Sequence, residues 1–293
     1  MEKTITIPMD LFPVRDSPAF PGRTAIRIYD SAQSPSRTRV ILKNNLFSFL
    51  LEGEKTVHRP GEPIHIRGGQ FLLLAGGNTL MTERLSVNGR YHSLLFFFDD
   101  SVFRDFWSRH PGLPDAGKGR ESLVAFTADD FIRNYLDSLQ LMLAANPALQ
   151  EDLQLLKFEE LMLYLAGKYP GLLHSFRLSD PHDPDHRQMM AVVEGNVNHA
   201  ITVDELAFLC NMSLSTFKRR FARLYSTSPN KWLLQRRMEL AASMLDSQEK
   251  PSEVYHKVGY ENHSSFTQSF KQVYGMTPRE FQKRAVRPLN VYP

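Results

Sequence analysis

"VGYENHSSFTQSFKQVYGMTPREF", residues 258–281, holds three aromatic residues, Phe266, Phe270 and Tyr274, four apart between a glycine-containing turn and a Thr-Pro. Four-residue spacing puts side chains on one helix face, so these rings predict a buried stripe. The opposite face reads Ser264, Ser265, Thr267, Gln268 and Lys271: short polar groups and one cation, with no carboxylate. A solvated helix face ordinarily mixes charges of both signs. One without acids suits a surface that meets phosphates and base edges.

The same spacing occurs once before. Phe217, Phe221, Tyr225, Ser228-Pro229 and Trp232 return 49 residues later as Phe266, Phe270, Tyr274, Thr277-Pro278 and Phe281. Upstream the best offset is 48, pairing Leu206 with Val254, Leu209 or Cys210 with Val258, and Asn211 with Gly259. One residue is therefore inserted between the paired helices of the second copy. Each copy predicts a short helix, a turn at a residue tolerant of positive φ, and a second helix. That is a helix-turn-helix in tandem, its halves joined by a helix over about residues 230–245.

On these residues the region 190–285 resembles the two-motif DNA-binding domain of the AraC/XylS family of bacterial transcription regulators. Leu206-Ala207, Met212-Ser213, Phe217 and Phe221 match its first motif. Pro229, Trp232-Leu233, Arg237-Met238, Ala241 and Met244-Leu245 match the connecting helix. Val258-Gly259-Tyr260, Phe266, Phe270-Lys271, Gly275 and Thr277-Pro278 match the second motif. The chain departs at Asn211 and Ser226, where the family usually has glycine, and at Tyr255, where it usually has alanine. The resemblance implies a sequence-specific regulator, by family habit an activator, that binds double-stranded DNA and recruits or positions RNA polymerase.

Upstream, residues 20–98 read as short strands. Val40–Leu42, Leu46–Leu51, Ile64–Ile66, Phe71–Leu74 and Ser93–Phe98 are separated by turn material at Asn44-Asn45, Arg59–Pro63, Gly68-Gly69 and Gly76–Asn78. Such spacing predicts an antiparallel β sandwich or barrel. Between 129 and 169 the period becomes helical: Phe131, Tyr135, Leu139 and Met142, then Leu153, Leu156, Leu161 and Leu165, predict two amphipathic helices around Asn146-Pro147. FSFLLEGEKTV and PGEPIHIRGGQFLLLAGG resemble the degenerate cupin-like sensor of many such regulators, and LKFEELMLYLAGKYP resembles their dimerisation segment. The expected fold is multidomain: a cupin-like antiparallel β unit with dimerisation helices over 1–176, a linker over 177–187, and an all-α DNA reader over 188–293. A small-molecule or protein effector at the N-terminal domain and a homodimer are implied. A pocket of converging polar groups between the sheets would favour a small-molecule sensor; an interior filled by its own side chains would favour a protein partner.

Charge divides the same way. The 293 residues carry a net +3, of which residues 187–293 hold 15 Lys/Arg against 9 Asp/Glu. A basic last third on a mildly acidic remainder suits a polyanion partner for that third. The 42% hydrophobic content is that of a chain with a real core. No stretch approaches the ~18 apolar residues of a membrane helix. The N-terminus lacks a secretory pattern, and the single Cys210 suits a reducing compartment, so a cytoplasmic protein is expected.

The candidate DNA-binding residues are those facing outward once the rings are buried: Ser215, Lys218, Arg219 and Arg223 in the first motif, and His263, Ser264, Thr267, Gln268 and Lys271 in the second. Arg grips guanine through two parallel hydrogen bonds, Lys reaches the same acceptors or a phosphate, Gln pairs with adenine, and Thr offers a methyl to thymine. Arg236, Arg237 and Lys257 are candidate phosphate clamps, with an internal ion pair the competing role for Arg237. His182, Asp183, Asp185 and His186 carry metal-capable groups, but the interleaved prolines splay them, and the segment reads as a solvated linker. His58 and His65 lie on expected strands without the paired-histidine pattern of a cupin metal site. No cofactor, metal or catalytic residue is assigned, and an enzyme is not expected. Cys210 pairs in the repeat with apolar Val258 and reads as a small buried hydrophobe.

Overall fold

The computed structural model describes residues 4–11, 23–33, 37–59, 62–113, 121–144, 150–176, 178 and 186–285. The chain divides into two compact units, Met1–His58 with Glu62–Asp183 in the first and Arg59–Gly61 with Pro184–Pro293 in the second. Most of the expected linker (177 and 179–185), the side chains of His182, Asp183, Asp185 and His186, and the Asn146-Pro147 break lie outside the described residues.

The first unit stacks two five-stranded sheets into an open sandwich. One has the order β1-β3-β8-β5-β6, built from β1 (Thr4–Ile7), β3 (Thr38–Leu42), β5 (Glu54–His58), β6 (Ile64–Arg67) and β8 (Gly77–Arg84). The other has the order β10-β7-β4-β9-β2, built from β2 (Thr24–Ser31), β4 (Asn45–Glu52), β7 (Gln70–Leu74), β9 (Tyr91–Phe98) and β10 (Leu123–Thr127). Asn45 and the Gly77-Asn78 pair, read from sequence as turn material, open β4 and β8 instead.

The second sheet is covered on both faces, which is why its strands run almost continuously apolar. On β4, Leu46 and Leu50 point between the sheets, while Phe47 and Phe49 point to a helical layer. Aromatic rings form a ladder on that helical side: Phe49 opposes Phe71 and Phe71 opposes Phe126, each pair with centroids 4.9 Å apart. Against the ladder pack α1 (Asp100–Arg109), α2 (Asp130–Leu143), α3 (Gln150–Lys168) and α4 (Pro170–Ser175). Leu161 and Leu165 are wholly buried in this layer. The exposed leucines of α3 are Leu156 and Leu163, 63% and 43% accessible and seven residues apart on one stripe.

The second unit is helical: α5 (His186–Glu194), α6 (Val203–Leu209), α7 (Leu214–Tyr225), α8 (Pro229–Asp246), α9 (Pro251–Lys257), α10 (His263–Tyr274) and α11 (Pro278–Ala285). Short polar side chains start these helices. Ser213 Oγ accepts from Thr216 N at 3.2 Å, Asn262 Oδ1 accepts from Ser265 N at 2.9 Å, and Thr202 with Glu205 forms a capping box. Phe217 and Phe221 are buried with centroids 5.7 Å apart, and Phe266 and Phe270 with 5.8 Å. Trp232 closes the first cluster edge-on to Phe221 at 5.8 Å, and Phe281 closes the second edge-on to Phe270 at 5.4 Å.

The turns repeat as well. Asn211 and Gly259 are left-handed at φ 55° and 79°, and Ser226 and Gly275 at 53° and 73°. A left-handed L-residue costs about 1–2 kcal/mol, part of which glycine returns as extra freedom in the unfolded chain. Ser226→Gly should therefore stabilise the second unit by about 0.5–1 kcal/mol, read as a higher denaturant midpoint with unchanged slope. A destabilised variant would mean that the Ser226 side chain holds the turn.

Candidate nucleic-acid interface

With its two phenylalanines turned inward, α7 presents Ser215, Lys218, Arg219 and Arg223 to solvent. The matching face of α10 presents His263, Ser264, Gln268 and Lys271, with Thr267 half-buried. Thr267 Oγ1 donates to the carbonyl oxygen of His263 at 2.9 Å. Arg220, which the sequence reading passes over, is half-buried on α7. Its neighbour Phe221 faces the core, and that adjacency hides it from a strict inward-outward assignment.

Neither recognition helix contains an acid. Among the described residues, Lys218, Arg219, Arg220, Arg223 and Lys271 have no hydrogen-bonded or ion-paired protein partner. The other cations singled out from sequence are occupied. Arg236 pairs with Glu239 at 2.9 Å and lies over the Trp232 ring at 5.9 Å. Lys257 pairs with Glu249 at 2.5 Å, which raises its pKa.

Arg237 is neither a phosphate clamp nor one half of an ion pair. Its guanidinium donates to the carbonyl oxygens of Val197 at 2.9 Å, His199 at 2.6 Å and Ile201 at 3.4 Å. Burial lowers its pKa. It ties α8 to the turn between α5 and α6. Cys210, at the end of α6, is half-buried, and burial pushes its thiol pKa up to about 12, away from thiolate reactivity.

In the first unit, the space between the sheets is occupied by the chain's own Leu, Val, Ile, Met and Phe97 side chains. One polar layer crosses it. The buried Lys55 donates to Ser48 Oγ at 3.1 Å and pairs with Glu83 at 3.5 Å, beside Tyr91 and Ser93. His58 and His65 lie on the other face of their strands, bonded to Thr82 at 3.0 Å and Thr56 at 2.8 Å. Among the described residues no three His, Cys, Asp or Glu side chains converge as metal ligands, and no helix is long and apolar enough to cross a membrane. Outside the sandwich a cleft of about 590 Å³ runs between α1 and α3. Val102, Leu155 and Leu156 line it, together with the Arg23–Asp105 and Arg109–Glu159 ion pairs.

Two acid-free, cation-bearing helices on a tandem helix-turn-helix, joined to a β-sandwich unit, define a DNA-binding regulator. Two family profiles match the chain: an "ExsA N-terminal regulatory domain" over residues 45–176 and a "Helix-turn-helix domain" over 206–284. The HTH-type transcriptional regulator ExsA of Pseudomonas aeruginosa is 23% identical over 239 residues, 78% of this chain and 82% of that protein. The virulence regulon transcriptional activator VirF of Yersinia enterocolitica is 29% identical over 126 residues, 43% of this chain and 46% of VirF. A putative AraC-like transcription regulator of Streptomyces antibioticus is 32% identical over 102 residues, 34% of each chain. The chain carries an AraC-type helix-turn-helix domain in its C-terminal region, and the relatives it matches are regulators of the AraC family.

Proposed function

We propose that this regulator reads two adjacent major grooves, with Ser215, Lys218, Arg219 and Arg223 in one and His263, Ser264, Thr267, Gln268 and Lys271 in the next. The observation that carries this is the pair of acid-free, solvent-facing helix faces on α7 and α10, whose Lys218, Arg219, Arg223 and Lys271 have no ion-paired partner among the described residues. Leaving like charges unpaired on one surface is unfavourable unless a polyanion supplies the partner. The connecting helix α8 has 18 residues, about 27 Å at 1.5 Å per residue. With the packed bundles at its ends, that span approaches the roughly 34–36 Å between successive major-groove positions on one face of the duplex. The reader comprises residues 188–293, the regulatory unit 1–176 and the linker 177–187.

Its output is transcription activation through RNA polymerase in the cytoplasm; the likeness to VirF, a transcriptional activator, supports activation. No catalytic step is assigned to it. Between a small molecule and a protein as effector, the filled space between the sheets supports a protein docked on the outside of the first unit. Homodimerisation would use the exposed Leu156 and Leu163 stripe of α3, and a dimer would favour two copies of an asymmetric site.

Footprinting of the full chain on DNA selected from a random pool tests the reading. Each bound monomer should protect two adjacent major grooves on one face. The four cations of these faces, Lys218, Arg219, Arg223 and Lys271, should give a slope of log affinity against log salt of about −3 to −4, at about −0.9 per neutralised phosphate. Lys271→Ala should flatten it by about one unit on all sequences alike. Protection of a single groove, or salt-independent affinity, would overturn the proposal.

A further inference from the structure

We infer that His263 reads an amino-group edge in the major groove, adenine N6 or cytosine N4, and that Tyr255 is the residue that positions it. The inference rests on the DNA-reading assignment above and adds to it the hydrogen-bonding sense of one contact.

His263 opens α10, exposed, immediately after the Asn262 cap. Two aromatic rings flank its imidazole. Tyr255 meets it edge-on, with centroids 5.7 Å apart and planes at 86°, and Phe266 meets it at 6.2 Å and 65°. Phe266 is buried in the second cluster, held there by its packing. Tyr255 is half-buried and is itself backed by His256, whose ring lies 3.8 Å away. The imidazole is thereby held by rings anchored in α9 and in the core, not left to sample rotamers in solvent. Among the described residues the Tyr255 hydroxyl has no hydrogen-bond partner, so the positioning is done by the ring.

Thr267, one helical turn on, sets the sense of the contact. Its hydroxyl oxygen lies 2.9 Å from the His263 carbonyl oxygen and 3.4 Å from Nδ1. A threonine hydroxyl has one proton, and the carbonyl at the shorter distance takes it. The remaining contact is complementary only if Nδ1–H donates to Thr267 Oγ1. With the proton on Nδ1, the outward Nε2 of a neutral imidazole is an acceptor. In the major groove the donors are adenine N6 and cytosine N4, whereas guanine and thymine present oxygen acceptors at their corresponding edges. A histidine held in this tautomer accepts adenine or cytosine and repels the other two.

Binding-site selection from a random pool tests this with the full chain at about pH 8. The parent, His263→Ala, Tyr255→Ala, Tyr255→Phe and Thr267→Val are compared, with a thermal melt of each. At the position where His263→Ala erases preference, the parent should favour adenine or cytosine by roughly two- to tenfold. Tyr255→Ala should lose most of that preference while total affinity changes less than about twofold, and Tyr255→Phe should keep it. Should Tyr255→Ala fail to fold, Thr267→Val carries the test: it should admit guanine and thymine at that position with an unchanged melt. Guanine or thymine at the His263-dependent position of the parent overturns the inference, as does an unchanged profile in a folded Tyr255→Ala or in Thr267→Val. A parent profile indifferent to His263→Ala overturns it while leaving the DNA reader standing; a parent that selects no sequence removes the reader and the inference together.

Discussion

Replacing Glu83 with leucine should cost the first unit about 3–5 kcal/mol, because it leaves the Lys55 ammonium buried without its carboxylate. Lys55 is only 4% exposed, reaches Glu83 at 3.5 Å and Ser48 Oγ at 3.1 Å, and lies 5.7 Å from the centre of the Tyr91 ring. Burial lowers the Lys55 pKa, with Glu83 opposing the shift. The charged lysine is thus a liability that the carboxylate offsets. Glu83 also accepts from the Tyr29 hydroxyl at 3.4 Å, and burial with this neighbouring charge pushes Tyr29 up to about 12. Replacing both partners at once, Lys55→Met with Glu83→Leu, should recover most of the loss, since an apolar pair of similar volume suits the surrounding Leu50, Val57 and Leu95. Because the folded-state pKa of Lys55 lies below its unfolded value, folding binds fewer protons there. The parent should therefore gain stability as pH rises through the folded-state pKa towards the usual lysine range. Chemical denaturation of the parent and both variants measures the effect. A loss below about 1 kcal/mol in Glu83→Leu would show that the carboxylate does not hold the lysine in place.

That buried pair marks where sequence reading stops. In Glu54-Lys55-Thr56-Val57, alternation puts Lys55 on the same face as Val57, which is where the fold places it. A lysine nonetheless reads as surface, because lysines are seldom buried unless paired, and its partner Glu83 is on β8, a strand whose polar Thr, Glu and Arg residues do not read as a strand at all. An internal role for Arg237 is legible but its partners, carbonyls 36 to 40 residues away, are not, and the Lys257 partner is a carboxylate eight residues away across a turn. Spacing puts Leu156, Leu161 and Leu165 on an amphipathic helix but does not divide them between the core and an outer surface, because periodicity tells that a helix face is buried, not what buries it. The second unit was far more legible. The 49-residue offset places Ser226 with Gly275, and the 48-residue offset places Asn211 with Gly259, all four of them left-handed. The connecting helix runs Pro229–Asp246, one residue beyond the expected span at each end. Local spacing carries this information because each copy is a short unit whose turn, cap and ring cluster lie within 30 residues of sequence.

Gly259→Ala should be the most damaging single methyl in the second unit, costing about 2–5 kcal/mol. Two penalties combine: about 1–2 kcal/mol for a left-handed alanine, and about 1–3 kcal/mol for overpacking that cannot relax. A Cβ at 259 would lie 2.7 Å from the His199 carbonyl oxygen and 2.8 Å from its carbon, and both are backbone atoms. That same oxygen is the acceptor of the 2.6 Å bond from Arg237, so it cannot retreat without loosening α8. His199 is thus gripped from two sides, by the connecting helix and by the turn of the second motif, while its own segment leads into the first. Movement there reaches both recognition helices. The contact also explains why the matching turns differ in residue type: Asn tolerates left-handed backbone at 211, but its Cβ would have no room at 259. Gly275 separates the two penalties. It is left-handed at φ 73°, yet a Cβ there meets nothing within 4 Å. Gly275→Ala should therefore cost only the conformational part, about 1–2 kcal/mol, and leave DNA binding at the parent level in the cold. Gly259→Ala should lower the melting temperature further and weaken binding at temperatures where the unit is still folded. Equal losses in the two variants would show that backbone conformation, and not the approach to His199, is what the glycine supplies.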